Sequence, residues 1–219
     1  MSYKMKLVVL TKSAKHGGFC VAGINLYKNK NWFARIVKND DGDAVTSEDI
    51  DKAKPLDIIE VFVKGNKKKH NQTENFPIDF DAADSPAKKI GHKDIDYVKD
   101  LYNRGLFEHI GFFGNNKKSL TEEEIDNLNP KHSLSAIKVS RLRVYKNSHG
   151  KPKAEVFFKD EIVRDISMTD PDYDPENKSK IKNNYPIEIG EAILIVSLPA
   201  EPYEKNGRYY KFIAKIFEL

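Results

Sequence analysis

The residues best suited to chemistry fall in a few short clusters. Lys12, Lys15 and His16 precede Gly17-Gly18, where backbone N–H groups and cationic side chains can converge on an anion, because glycine permits close backbone approach and lysine supplies charge. The stretch lacks the Walker spacing and leads into a strand rather than a helix, so a plain β-turn is the competing reading. Gln72, Glu74 and Asn75 follow the basic run Lys67-Lys68-Lys69-His70. Amides can read base edges and lysines can meet phosphates, and the same residue types also build a hydrogen-bonded turn ahead of Pro77. Arg141, Arg143 and Lys146 are spaced around Leu142 and Val144, which puts a basic strip on one strand face. Thr169 and Asp170 close the β run Ile166-Ser167-Met168 before Pro171, either as a turn that stops the strand or as the wall of a binding site.

Aromatic residues stand beside cations at Trp32-Phe33-Ala34-Arg35 and at Tyr209-Tyr210-Lys211, as stacking surfaces for single-stranded nucleic acid require. Strand side chains alternate, so one of each adjacent aromatic pair must face away from the core. Cys20 alternates with Ala22 and Ile24 in an apolar strand and reads as a small core residue. As a nucleophile it would need a base, and His16 is the one candidate nearby. A single cysteine excludes an internal disulfide, and the six histidines are scattered without zinc-site spacing, so neither a metal nor another cofactor is expected. The chain holds no complete triad, metal set or cofactor fingerprint, which argues against catalysis.

The elements that must position these groups are mostly strands. Met5 to Leu10, Phe19 to Ile24, Trp32 to Val37 and Asp57 to Val63 carry β patterning in the first half, with a short helix over Ser47 to Ala53. Asp94 can cap a helix with apolar residues at Ile95, Val98, Leu101 and Tyr102, stopped at Gly105. A second helix, about 120–128, has Ser119 and Glu122 at capping-box spacing and Pro130 as its close. Strand patterning returns at Ala136 to Tyr145, Ala154 to Phe158, Ile162 to Met168, Ala192 to Leu198 and Arg208 to Phe217. The fold expected is mainly β with helical insertions (α+β), as two small barrels packed together. Their boundaries are 1–115 and 134–219, with 116–133 as a helical connection.

The net charge of +4 balances 37 basic against 33 acidic residues, which permits nucleic-acid binding without demanding it. The longest apolar run, Ala192 to Val196, is far too short for a bilayer span. The amino terminus leads into a strand rather than a signal sequence, and a cytoplasmic protein without a membrane partner is expected.

Several patterns in order resemble the bacterial dual OB-containing domain family: Gly17-Gly18-Phe19-Cys20-Val21-Ala22-Gly23, Gln72-Thr73-Glu74-Asn75, Ser167 to Pro171, and Ile195-Val196-Ser197-Leu198 with Tyr210-Lys211-Phe212-Ile213-Ala214. They extend from near residue 5 to the carboxyl terminus. The family's tryptophan is followed closely by an arginine-proline pair; here Trp32 and Arg35 are present with an extra residue between them and no proline. The resemblance implies two OB-type barrels, and an association with nucleic acids or prokaryotic conflict systems. The leading expectation is a non-enzymatic module binding single-stranded nucleic acid or a nucleotide through Trp32, the basic loop around Lys68 and the Arg141/Arg143 strip, weakening steeply with salt. The alternatives are an enzyme acting on a nucleotide or nucleic acid, with Gln72, Glu74, Thr169 and Asp170 in a cleft between the barrels, and an adaptor with a protein partner.

Overall fold

The computed structural model describes residues 2–219 apart from 16, 28–32, 84, 106–110, 130, 174–180 and 182–184. The chain forms two compact units, Met1–Val98 and Lys99–Leu219. The boundaries read from the sequence fall later because Phe112, Phe113, Leu120 and Ile125, around and within 116–133, are part of the second unit's core.

The first unit contains β1 (Tyr3–Lys15), β2 (Gly18–Asn25), β3 (Phe33–Val37), β4 (Asp57–Val63), β5 (Asn75–Pro77) and β6 (Ala87–His92), in the sheet order β5-β3-β2-β1-β4-β6. β1 is long enough to serve two neighbours: residues 3–8 pair with β4 and residues 7–15 with β2. A bulge between Val9 and Thr11 accompanies this change of partner, as an extra residue bends a strand and increases its twist. Gly23 is needed opposite, because a Cβ there would lie 1.8 Å from the carbonyl oxygen of Val8. β5 runs parallel to β3, and the chain beyond it reaches β4. Lys64 N donates to Pro77 O at 2.9 Å and Asp79 N to Phe62 O at 2.9 Å. These bonds close the cycle β1-β2-β3-β5-β4 around Leu7, Val9, Val21, Ile36, Ile59 and Val61.

The second unit repeats this connectivity. After α1 (Ile95–Asn103), which spans the boundary, come β7 (Ser119–Leu120), α2 (Glu122–Asp126), β8 (Leu134–Val139), β9 (Arg141–Lys146), β10 (Pro152–Phe158), β11 (Glu161–Met168), β12 (Ile187–Ile189), β13 (Ala192–Ser197), β14 (Tyr209–Tyr210) and β15 (Phe212–Glu218). The sheet order is β12-β9-β10-β11-β15-β13-β8. β8 and β9 are the single strand expected over 136–145, broken at Ser140, so that one half pairs with β13 and the other with β10. β11 and β15 are parallel, as β3 and β5 are. Both units are therefore Greek-key barrels of the OB type.

Two local expectations change. The 47–53 helix is a 3-10 turn over Glu48–Ile50. The capping box lies at Thr121 and Glu124 rather than Ser119 and Glu122: Glu124 N donates to Thr121 Oγ1 at 3.2 Å and Thr121 N to Glu124 Oε2 at 2.8 Å. Ser119 is held instead in the β7–β14 ladder, opposite Tyr210.

Gly23→Ala should destabilise the first barrel by about 3 kcal/mol, since the obstacle is backbone rather than a movable side chain. Gly190→Ala, which meets nothing within 4 Å, should leave the chain within about 0.5 kcal/mol of the parent. Urea denaturation of the two variants checks both.

Candidate nucleic-acid interface

Alternation along the β9-β10-β11 meander sorts its side chains onto two faces. Leu142, Val144, Ala154, Val156, Val163 and Ile166 enter the core. Facing outward in matched register are Arg141 opposite Phe157, Arg143 opposite Glu155, and Tyr145 opposite Lys153. Ile162 extends the first pair on β11 and Ser167 the last.

The first row is a stack, with the Arg141 guanidinium 3.9 Å from the centroid of the Phe157 ring and Ile162 exposed beside it. Arg141 has no carboxylate partner among the described residues. The second row is charge-compensated. Arg143 lies 3.8 Å from Glu155 and 3.3 Å from Glu188 of β12, and Arg164 lies 3.4 Å from Glu155. In the third row Lys153 Nζ donates to Ser167 Oγ at 2.8 Å, and the Tyr145 hydroxyl donates to Asp165 Oδ1 at 2.6 Å. Burial lowers the Lys153 pKa, and Tyr210 lies within its electrostatic reach. Tyr210 in turn meets the exposed Tyr203 edge-on, with ring centroids 6.0 Å apart.

A bulge shapes the middle of this face. Between the pairs Ala154–Ile166 and Val156–Val163 the β11 side carries one extra residue, so Arg164 and Asp165 together oppose Glu155. Asp165 adopts φ +58°, a left-handed conformation that Asp tolerates better than most residues. Bulges of this kind re-aim side chains.

The other candidate residues are mostly committed to structure. Lys12 Nζ donates to Ser47 Oγ at 2.8 Å and lies over the Phe19 ring; Lys15 Nζ donates to Gly42 O at 2.7 Å. Burial lowers both lysine pKa values. Neither side chain is directed at an open glycine cradle. His16 and Trp32 lie outside the described residues. Arg35 is buried, donating to Cys20 Sγ and lying 3.4 Å from the buried Glu74 carboxylate, so its guanidinium is not a surface partner for a stacked base. Gln72 and Asn75 are also buried, and Gln72 closes a tight turn with Lys69 through reciprocal backbone bonds of 2.7 and 3.0 Å. Lys68 is exposed. Thr169 N donates to Ile213 O at 2.9 Å, and buried Asp170 accepts from Lys215 Nζ at 3.2 Å and Ile216 N at 3.0 Å. Burial raises the Asp170 pKa against the pull of Lys215. Tyr209 points inward and Tyr210 outward, as alternation requires. Lys211 is buried, its ammonium bonded to Phe112 O, Asn115 O and Asn115 Oδ1 at 2.6, 2.7 and 2.9 Å. Desolvation brings its pKa down to about 7, and its three bonds make it an anchor for the 112–115 turn rather than a cation for a ligand.

The sequence model of the dual OB-containing domain matches residues 5–216, nearly the whole chain. The chain belongs to the dual OB-containing domain family. No curated protein sequence matches it. A crystal structure of the tetrameric p202 HIN2 is similar over 100% of this chain and 95% of its own, at 8% identity and a TM-score of 0.34. No helix among the described residues is long and apolar enough to cross a membrane. Phe157, Tyr145, Lys153 and Tyr203 join Arg141 and Arg143 on or beside this outward face, beyond the residues picked out from the sequence. The alternation Lys153-Glu155-Phe157 was the available signal.

The Tyr145 pKa is pushed up to about 12, first by burial and then by the Asp165 carboxylate, which penalises a neighbouring phenolate. Asp165→Asn should bring it back towards 10 without reaching it. Phenolate absorbance against pH, assigned by subtraction of Tyr145→Phe, measures the change; an unmoved transition contradicts this description of the third row.

Proposed function

We propose that this chain is a nucleic-acid-binding module that holds single-stranded nucleic acid across the outer face of β9, β10 and β11, with Tyr210 and Tyr203 at one end. The observation that carries this reading is the open Arg141–Phe157 stack on a face that interleaves aromatic and cationic side chains. An arginine plane and an aromatic ring both accept a base. Phe157 and Lys153 are four residues apart on β10, about 13 Å, so the face accommodates more than a single base. Membership of a family of OB-type barrels supports the same placement, since strands 2 and 3 and the loop between strands 4 and 5 form the usual binding surface of that fold. β10, β11 and the 198–208 connection occupy those positions here.

The electrostatics refine the expected salt response. Arg143 and Arg164 are neutralised by Glu155 and Glu188, which leaves Arg141 and Lys153 as the cations open to phosphate. Two neutralised phosphates give a slope of log K against log salt of about −1.4 for a single strand, so the dependence is shallow rather than steep. Fluorescence anisotropy with labelled single-stranded oligonucleotides tests the reading. Arg141→Ala and Tyr203→Ala should each weaken binding about tenfold, equivalent to about 1.4 kcal/mol and within the range for one stacked base. Unchanged affinity in both variants contradicts the placement, and absence of binding by the parent chain contradicts the function.

A further inference from the structure

The middle row of this face is unusual for a surface that meets phosphates. A carboxylate repels the backbone of a nucleic acid, yet Glu155 stands at the centre, flanked by Arg143 on β9 and Arg164 on the β11 bulge. Its contacts of 3.8 and 3.4 Å are longer than close charge-assisted hydrogen bonds. An ionised carboxylate has about four lone-pair sites, so these contacts leave Glu155 with acceptor capacity to spare. The bulge that places Arg164 against it carries a left-handed Asp165, and departures from ordinary backbone geometry concentrate where a side chain must be aimed. Two residues further along β10 on the same face, about 7 Å away, Phe157 and Arg141 supply the stack.

Resting on the binding reading above, we infer that Glu155 and Arg143 read a guanine base stacked on the Arg141–Phe157 pair. The Watson–Crick edge of guanine places two donors, N1–H and the N2 amino group, beside an acceptor, O6. A carboxylate accepts from both donors while a guanidinium donates to the oxygen. Adenine, cytosine, thymine and uracil each lack the adjacent pair of donors. The central row thus rejects phosphate and selects a base, while the flanking cations Arg141 and Lys153 take the backbone. Selectivity arises because an ionised carboxylate left facing a base acceptor loses its solvation without recovering a hydrogen bond.

The test compares thymidine oligonucleotides carrying one central guanosine, inosine, adenosine or cytidine, by anisotropy with the full chain; inosine differs from guanosine only in lacking the N2 amino group. The guanosine strand should bind about tenfold more tightly than the inosine strand, the lower end of the range for a bidentate base contact. In Glu155→Gln the ratio should fall towards one while affinity for plain oligothymidine is not reduced, because the substitution removes a charge that repels phosphate. Equal binding of guanosine and inosine strands by the parent chain, with oligothymidine still bound, overturns the inference and leaves the binding reading intact. Failure of every strand to bind overturns both. The inosine comparison needs no variant, so a destabilised Glu155→Gln protein does not remove the test.

Discussion

Each barrel depends on a short parallel seam, and each seam is stapled by one buried ion pair. In the first barrel Arg35 of β3 lies against Glu74, the residue before β5, and Arg35 N also donates to Glu74 O at 2.8 Å. In the second the charges are exchanged between strands: Asp170, just past β11, accepts from Lys215 of β15 and from the backbone of Ile216, and Lys215 is shared with the half-exposed Asp172. Parallel pairing brings together strands that are distant in sequence, so loop-closure entropy opposes it. A buried pair adds little net stability relative to apolar residues, but removing one partner leaves an unmatched buried charge, at a cost of about 3–5 kcal/mol. The staple therefore penalises any register that separates the partners, and it does so at the point where the strand order departs from the chain order.

Closure has a consequence for the proposed binding face. With the third strand paired to the fifth, the outward side chains of the three-stranded meander lie in matched register as rows. In the second barrel those rows run from the Arg141–Phe157 stack through the compensated Arg143–Glu155–Arg164 group to Tyr145 and Lys153. In the first barrel Val8, Ala22 and Ile24, midway along the corresponding strands, are as inaccessible as Leu7, Val21 and Ile36, while Ala14 and Lys15 at the end of β1 are exposed. The two halves share a topology but differ in how far the outward residues of these strands are buried.

Much of this was legible in the sequence because period-two patterning reports directly on strands with one buried face. The long strands of both barrels, the helix stopped at Gly105 and the outward direction of one of Tyr209 and Tyr210 follow from spacing alone. The short seam strand Asn75–Pro77 did not, since three residues ending in proline carry no periodic signal and its partner β3 is forty residues earlier. β6 was hidden because its exposed side chains Lys88, Lys89 and Ile90 do not alternate. Arg35, Glu74 and Asp170 were recognised as polar groups of interest, but their burial is a tertiary property. An arginine on a strand reads as a surface residue until its partner is known. The neutralisation of Arg143 was invisible for the same reason, because Glu155 and Glu188 arrive from other strands.

The most direct measurement of the central claim is a ¹H–¹⁵N chemical-shift titration of the intact chain with a short single-stranded oligonucleotide at low salt. The account predicts perturbations concentrated at residues 141–145, 153–165 and 203–210, with the first barrel's basic loop at 64–70 scarcely affected. Shifts centred on 12–20 and 64–75, with the β9-β10-β11 face silent, would contradict it.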